Sequence, residues 1–194
     1  YRSRAAYKLL ELSEAEKVVG PGNFVVDAGA SPGGWSQVLL GLVGKRGKVA
    51  AVDILPMGPL PGENFRFFPR DVTDPALPSE IIAFLGRSAD AVVSDAAPNT
   101  TGIPFADQAR SADLVLSVLT LARETLREGG TFLAKIFEGA EVDNLDHFAL
   151  VDIADDKQGI LDDKVAKNDD IYNSMSSREH RNHATFHDEV FEKD

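Results

Sequence analysis

The stretch that decides the fold is Asp-Ala-Gly-Ala-Ser-Pro-Gly-Gly-Trp, residues 27–35. It follows the apolar residues 24–26 and contains Gly29, Gly33 and Gly34, which let a backbone pass close to a ligand. We expect a strand to end at Asp27 and a helix to begin near Gly34, with its free amide groups pointing into the crevice above the strand. Taken alone, the turn is compatible either with a nucleotide-like ligand or with an ordinary strand-to-helix connection.

Short β-rich runs alternate with helical stretches over residues 1–140. The runs cover residues 24–29, 48–54, 65–68, 89–95 and 131–137. Such alternation is typical of an α/β fold, in which a mostly parallel sheet carries helices on both faces. We predict one domain with residues 1–140 as its core. Residues 141–194 form an acidic C-terminal segment of the same domain, either a divergent edge of the sheet or a partly disordered tail.

Two of the helices can be delimited from the sequence. Residues 1–18 are predicted to be helical, with Gly20-Pro21-Gly22 ending the helix. A second helix covers about residues 107–128 and should be stopped by Gly129-Gly130 acting as a left-handed cap. Its apolar side chains form two adjacent rows at helical spacing, which are Leu114, Val118 and Leu121, and Val115, Leu119, Ala122 and Leu126.

Composition and charge narrow the function classes. The 194-residue chain has no cysteine, which excludes disulfides, thiolate zinc sites and cysteine nucleophiles. No apolar run approaches the roughly 18–20 residues of a membrane span, and the first residues lack a signal-peptide pattern, so we expect a cytoplasmic protein without a membrane partner. The net charge is −11, of which residues 141–194 carry −9. Binding to nucleic acid would therefore need a local basic patch, for which Arg2, Arg4 and Lys8 are the candidates.

Polar residues close four of the predicted strands. In an open parallel sheet, ligands bind beyond the carboxyl ends of the strands, so these positions are candidates for function. A single Asp there could equally be a turn former, but four polar residues at one edge are harder to explain that way. Lys135 has apolar neighbours on both sides, so it needs a partner, and Asp95 is the natural one. The four residues are Asp27, Asp53, Asp95 and Lys135.

Other motifs are weaker or missing. Asp53 follows Gly33 by 20 residues, the offset at which an acid often meets a ribose diol. The G-x-G-x-x-G, G-x-x-x-x-G-K-[ST] and G-x-S-x-G patterns are all absent, which disfavours NAD enzymes, P-loop NTPases and serine hydrolases. The histidines His180, His183 and His187 would share a helix face, but without an H-E-x-x-H motif we predict no metal site.

Taken together, six motifs in residues 1–140 resemble those of the FtsJ/RrmJ family of ribosomal RNA 2′-O-methyltransferases. They are YRSRAAYKLLEL (1–12), DAGASPGGWSQVL (27–39), AVDILPM (51–57), RDVTD (70–74), SDAAPNTTG (94–102) and AKIFEG (134–139). The resemblance implies a Rossmann-like fold that binds S-adenosylmethionine. It implies cofactor contacts by Gly33, Trp35, Asp53, Asp71 and Asp95, with Asp53 at the ribose and Asp71 near the adenine amino group. Gly29 and Gly34 are added as cofactor-binding candidates because the turn brings their backbone close to a ligand.

The resemblance also implies a Lys-Asp-Lys-Glu catalytic tetrad formed by Lys8, Asp95, Lys135 and Glu179. Glu179 follows Ser176-Ser177-Arg178, which is similar to the family's C-terminal motif, although His180 and Arg181 stand where a strand should continue. Lys135 is the expected general base, which requires its pKa to fall from about 10.4. Burial and the second cation Lys8 would lower that pKa, while Asp95 would oppose the shift and orient the amine.

The expected reaction is methylation of a ribose, with a uridine as the target, in large-subunit ribosomal RNA by a monomeric enzyme. The start of the chain inside a basic motif predicts further RNA-binding residues upstream. Three alternatives stay open. The chain could modify transfer RNA or another RNA. It could methylate a small molecule or a protein, or it could be a catalytically impaired RNA-binding or ribosome-assembly homologue.

Overall fold

The computed structural model describes residues 1–97, 104–136 and 147–153. These residues form four α-helices, one 3-10 turn and six strands. In chain order they are α1 (Ala5–Glu16), β1 (Phe24–Ala28), α2 (Gly34–Val43), the 3-10 turn (Gly44–Arg46), β2 (Lys48–Asp53), β3 (Phe65–Pro69), α3 (Leu77–Leu85), β4 (Ala89–Ser94), α4 (Pro104–Thr125), β5 (Leu126–Ile136) and β6 (His147–Ile153).

The six strands form one sheet in the order β3-β2-β1-β4-β5-β6. β1 pairs in parallel with both β2 and β4, so the chain reverses its direction of travel across the sheet between these two neighbours. Ligands of open α/β sheets bind above such a reversal point, at the carboxyl ends of the strands. The predicted mostly parallel α/β sheet is confirmed, and the exception is β6, which pairs antiparallel with β5.

Helices cover both faces of the sheet because alternate strand residues point to opposite sides. One apolar cluster joins Leu9 and Leu12 of α1 and Val38 and Leu39 of α2 to one set of strand residues. The opposite cluster joins α3 and α4 to the other set. The first strand set is Val25, Val49, Ala91, Val93 and Leu133, and the second includes Val26, Ala50, Val92, Phe132 and Ala134.

The boundary between α4 and β5 differs from the sequence expectation. The predicted apolar rows do face the core, with Val115, Val118 and Leu121 buried. However, α4 ends at Thr125, and Gly129-Gly130 lie inside β5 and do not cap the helix. The register passes from Leu126 opposite Ala89 to Thr131 opposite Ala91, so the glycines occupy an irregularity in the ladder. Gly129 adopts φ 64° there, a conformation that serves a bulge as well as a helix cap.

The end of α1 and the position of β6 also differ in detail from the sequence expectations. α1 ends at Glu16, where Lys17 adopts the left-handed conformation (φ 55°), ahead of the predicted stop at Gly20. β6 lies within the predicted C-terminal segment and forms the edge of the sheet. The division of the chain at residue 140 stays a prediction, because most of residues 141–194 lie outside the described part of the structure.

Asp90 joins three elements at the amino end of the sheet. Its carboxylate accepts hydrogen bonds from the N–H of Phe24 (2.8 Å), from Arg87 (2.6 Å) and from Arg127 (2.8 Å). Burial alone would raise the pKa of Asp90, but these donors together hold it at about 2. One carboxylate therefore ties the start of β1 to the end of α3 and to the irregular start of β5.

Replacing the carboxylate by Asp90→Asn should lower the free energy of unfolding at neutral pH by about 1–3 kcal/mol, because two charged donors lose their partner. A lowered pKa means that the carboxylate stabilises the fold above about pH 4 and that this contribution is lost as pH falls toward 2. Urea denaturation at pH 7 measures the difference. Asp113→Asn, on the exposed side of α4, is the matched control and should change stability little. Equal stability of both variants would contradict the assigned role.

Candidate active site

The four polar residues predicted at the strand ends all occupy one edge and one face of the sheet. Val25, Val49, Val93 and Leu133 point toward α1 and α2. Continuing the two-residue alternation along each strand puts Asp27, Asp53, Asp95 and Lys135 on that same side. The structure thus groups the candidates at the carboxyl edge beneath α1 and α2.

Asp95 and Lys135 form an ion pair. Asp95 follows the end of β4. Ser94 stands opposite Ala134, so Asp95 and Lys135, the residues that follow them, lie side by side. Lys135 Nζ lies 3.3 Å from Asp95 Oδ1, and the two side chains are 23% and 20% exposed. A partly buried amine beside a carboxylate, open to one side, can hold or accept a proton from a bound molecule.

Asp27 is the most deeply buried charged group of the site. It is fully inaccessible in β1, and the hydroxyl of Ser36 in α2 donates a 2.6 Å hydrogen bond to its Oδ2. Its Oδ1 has no hydrogen-bond partner among the described residues. Burial raises the pKa of Asp27 to about 7, with Ser36 acting in the opposite direction and the charges of Asp95 and Asp53 adding to the rise. The site therefore contains a carboxyl group that titrates near neutral pH and offers one unused acceptor.

Asp53, the last residue of β2, fixes the glycine-rich turn to the following loop. Its Oδ2 accepts the N–H of Ser31 at 2.9 Å, and its Oδ1 accepts the N–H of Leu55 at 2.7 Å. Each oxygen keeps further acceptor capacity, because a carboxylate oxygen has two lone pairs. Asp53 is half-buried, so its remaining lone pairs are available to a ligand at the rim of the crevice.

The three glycines of the turn are required by neighbouring protein segments. A Cβ on Gly29 would meet Ala96 after β4 at 2.5 Å, and one on Gly33 would meet the sulfur of Met57 at 2.8 Å. A Cβ on Gly34 would collide with Ser3 just before α1. Gly29 and Gly33 also have positive φ values of 77° and 103°. Whether these glycines contact a cofactor stays a prediction. The structure shows that the absence of a Cβ lets the segments that contain Ala96, Met57 and Ser3 approach the turn.

Trp35 and Lys8 are placed by α1. The indole N–H of Trp35 donates to the carbonyl of Ala5 at 2.8 Å, and its ring is buried against α1. The Trp35 side chain therefore anchors the helix, and a cofactor contact by this residue stays a prediction. Lys8 is half-buried on α1, on the side of the sheet that holds the Asp95–Lys135 pair. Its predicted catalytic role stays a prediction too.

Asp71 follows β3 at the same edge of the sheet. Its Oδ1 accepts the backbone N–H of Thr73 at 2.9 Å and the hydroxyl of Thr73 at 2.7 Å, and these hydrogen bonds lower the pKa of Asp71. The residue is exposed and remains ionised, which suits a carboxylate that accepts an amino group. The predicted contact with adenine is untested.

Two residues of the site have a role that sequence reasoning missed. Ser36 holds the buried Asp27, a contact that its spacing of nine residues does not reveal. Arg2, expected to attract nucleic acid, donates hydrogen bonds to the carbonyls of Gly58 and Pro59 (both 2.7 Å) and Pro32 (3.3 Å). Its guanidinium clamps the turn to the loop after β2, so much of its hydrogen-bonding capacity is already used.

Several predicted positions cannot be placed. Glu179 and the three histidines His180, His183 and His187 lie outside the described residues. Within residues 1–97, 104–136 and 147–153, no group of three or more His, Asp or Glu side chains is arranged to hold a metal ion. Among the same residues, no helix has the length and apolarity needed to cross a membrane.

The sheet order, the reversal point at β1 and the carboxylates above it define a Rossmann-like α/β protein with a ligand crevice at the carboxyl ends of its strands. The FtsJ-like methyltransferase family matches residues 1–152, and the chain belongs to this family.

The ribosomal RNA large subunit methyltransferase E of Methanothermobacter thermautotrophicus is 49% identical over 145 residues, which are 75% of this chain and 69% of that protein. The protein of the same name from Stutzerimonas stutzeri is 48% identical over 139 residues, 71% of this chain and 66% of the relative.

A solved structure gives an independent comparison. The crystal structure of a protein described as a ribosomal RNA methyltransferase from Plasmodium falciparum superposes with a TM-score of 0.64 and 28% identity, covering 74% of this chain and 82% of that chain. The resemblance inferred from the six motifs is therefore confirmed for both the family and the fold. The chain spans about two thirds of the length of the relatives it matches.

The pKa of Asp27 predicts an unusual pH dependence of stability in the protein without cofactor. Because the folded state binds the Asp27 proton more tightly than the unfolded state, this residue should reduce stability as pH rises from about 4 to about 7, by up to ~1.4 kcal/mol per pH unit. Asp27→Asn lacks this contribution and can still accept a hydrogen bond from Ser36.

Urea denaturation between pH 4 and 8 checks this expectation. The difference in the free energy of unfolding between wild type and Asp27→Asn should change across that pH range and level off above about pH 7. Asp113→Asn serves as the control and should run parallel to wild type. A constant difference between wild type and Asp27→Asn would show that Asp27 ionises at its ordinary pKa.

Proposed function

We propose that this methyltransferase uses S-adenosylmethionine to methylate a ribose 2′-hydroxyl in large-subunit ribosomal RNA, with a uridine as the target. The observation that carries the proposal is the Asp95–Lys135 pair at the carboxyl edge of the sheet, beside the buried Asp27. The names of the relatives support the RNA substrate. The choice of ribose over base rests on the match of Lys8, Asp95 and Lys135 to the family's catalytic motif.

The residues present fit the cofactor. Asp27, Asp53 and Asp95 put three carboxyl groups around one crevice, and S-adenosylmethionine carries both a sulfonium and an ammonium charge. The unpartnered Oδ1 of Asp27 is a buried acceptor of the kind that a polar ligand satisfies. Asp53 would hold the ribose diol, and Asp71 the adenine amino group. When bound, the cofactor supplies an activated methyl group together with its leaving group.

Lys135 has the proton-transfer task. A ribose hydroxyl is a weak nucleophile, so a neutral Lys135 amine would accept its proton as the oxygen attacks the methyl carbon. Asp95 fixes the position of Nζ through the 3.3 Å ion pair. Lys8, brought to the same side by α1, would disfavour a second positive charge at Lys135. Glu179 would complete the tetrad. The expectations of a cytoplasmic location and a monomeric state belong to this proposal as well.

Lys135→Ala should abolish methyl transfer while leaving cofactor affinity nearly unchanged, because the residue acts on the hydroxyl and does not hold the cofactor. General-base removal typically costs 10²–10⁴-fold in rate. Single-turnover transfer of a tritiated methyl group measures the rate, and calorimetry with S-adenosylmethionine measures the affinity. Lys45→Ala, an exposed lysine of the 3-10 turn, is the control and should behave as wild type. Wild-type turnover in Lys135→Ala would refute the assignment of the base.

The substrate is tested by tritiated-methyl transfer to large ribosomal subunits, naked ribosomal RNA, transfer RNA and free nucleotides, followed by mapping of the labelled nucleotide. Label on a ribose of large-subunit RNA supports the proposal. Label on transfer RNA or on free nucleotides alone overturns the substrate. Binding of S-adenosylmethionine without any transfer identifies an impaired homologue.

A further inference from the structure

Two tyrosine rings stand exposed at the start of α1. Tyr1 and Tyr7 are 62% and 59% exposed, among the few large apolar side chains of the described residues that face solvent to this degree. Their ring centroids are 5.6 Å apart and their planes meet at 90°. In an edge-to-face arrangement each ring steadies the other, and both side chains stay more than half exposed. We call these two residues the tyrosine pair.

The tyrosine pair lies next to basic side chains and next to the crevice. Arg4, Tyr7 and Lys8 are spaced i, i+3 and i+4, so they share a side of the helix. Leu9 and Leu12 are buried on another side. Arg4 is exposed and Lys8 is half-buried. An aromatic ring with positive charges beside it is the combination by which proteins bind unpaired nucleotides.

The position of Tyr7 is fixed with respect to the crevice. Ser3, immediately before α1, packs against Gly34 of the turn, and the carbonyl of Ala5 accepts the indole N–H of Trp35. The guanidinium of Arg2 adds hydrogen bonds to the loop after β2. The first turn of α1 is thus held from three directions. A ring on this turn is preorganised, so little conformational freedom is lost when a ligand stacks on it.

The charge of the crevice argues for a contact that does not depend on phosphate. Asp53 and Asp95 lie at the edge where the substrate ribose would arrive, close to the buried Asp27, and residues 1–140 carry 16 acidic against 14 basic residues. Arg2 keeps its charge, but its guanidinium donates to backbone carbonyls, so fewer of its donors are left for a direct phosphate contact. Stacking of a base on an aromatic ring supplies affinity without net charge.

We infer that the Tyr7 ring, steadied by Tyr1, is a stacking platform for an unpaired base of the substrate RNA next to the nucleotide that is methylated. The inference rests on the proposed function, because it assumes an RNA ribose in the crevice. The platform positions RNA and takes no part in proton transfer. It requires the target nucleotide to lie in a loop or a locally opened helix, since paired bases cannot stack on a side chain.

The test compares Tyr7→Ala with Tyr7→Phe. The probe is a single-stranded RNA that carries the mapped target nucleotide and 2-aminopurine at the adjacent position. Tyr7→Ala should weaken RNA binding about 5- to 100-fold, raise KM for this RNA and abolish the quenching of 2-aminopurine fluorescence on binding. Tyr7→Phe keeps the ring and should match wild type. Alanine is the better helix former, so the thermal midpoint of Tyr7→Ala should stay near that of wild type.

The dependence of RNA affinity on salt concentration distinguishes a stacking contact from a phosphate contact. Tyr7→Ala should lower affinity equally at all salt concentrations, whereas loss of one phosphate contact reduces the slope of log K against log salt by about 0.7 for single strands. Arg4→Gln calibrates that charge effect. A reduced slope in Tyr7→Ala, or failure of Tyr7→Phe to restore binding, overturns the platform.

The two proposals fail in different ways. A wild-type protein that transfers no methyl group to RNA refutes the proposed function. A wild-type protein that methylates RNA while Tyr7→Ala keeps the same KM and the same fluorescence quenching refutes the platform alone. If Tyr7→Ala methylates naked RNA normally but not assembled subunits, the tyrosine pair contacts a protein, and the stacking proposal is again overturned.

Discussion

The absence of side chains at Gly29, Gly33 and Gly34 is the constraint on which the site depends. Three segments that are distant in sequence meet at this turn: the start of α1, the loop after β2 and the end of β4. Hydrogen bonds of Arg2 to Gly58 and of Asp53 to Ser31 then hold these segments in place. At this turn the ends of β1, β2 and β4 are therefore held relative to the first helix.

The carboxyl groups of the crevice lie close enough together to repel one another when they ionise. Asp27 is kept at the edge of ionisation by burial, and Asp53 and Asp95 oppose its charging. A positive charge relieves this repulsion, and the Lys135 amine supplies one beside Asp95. The carboxylates lie on the sheet, whereas the exposed Arg4 lies at the start of the first helix, so charges of opposite sign occupy different elements.

Local patterns were sufficient to predict the sheet, the helix faces and the polar strand ends. Short β-rich runs located five strands, and the apolar rows of α4 located the face that Val118 and Leu121 bury. The failures have a common cause. Gly129 can end a helix or make a bulge with the same positive φ, and only the pairing with β4 decides between them. Ser36 bonds to Asp27 across the strand-to-helix turn, and Arg2 bonds to Gly58 far along the chain, and no local pattern encodes either contact.

The ion pair of Asp95 with Lys135 depends on the pairing of β4 with β5. These residues are 40 positions apart, and neither β4 nor β5 alone gives its polar residue a partner. Parallel pairing in the register of Ser94 with Ala134 brings them together, and the shared alternation turns both toward α1. A shift of β5 by one residue would point Lys135 at the α3–α4 side of the sheet, into apolar surroundings. The irregularity around Gly129 absorbs residues at the start of β5, so the bulge at one end of the strand helps to set the register of the lysine at the other.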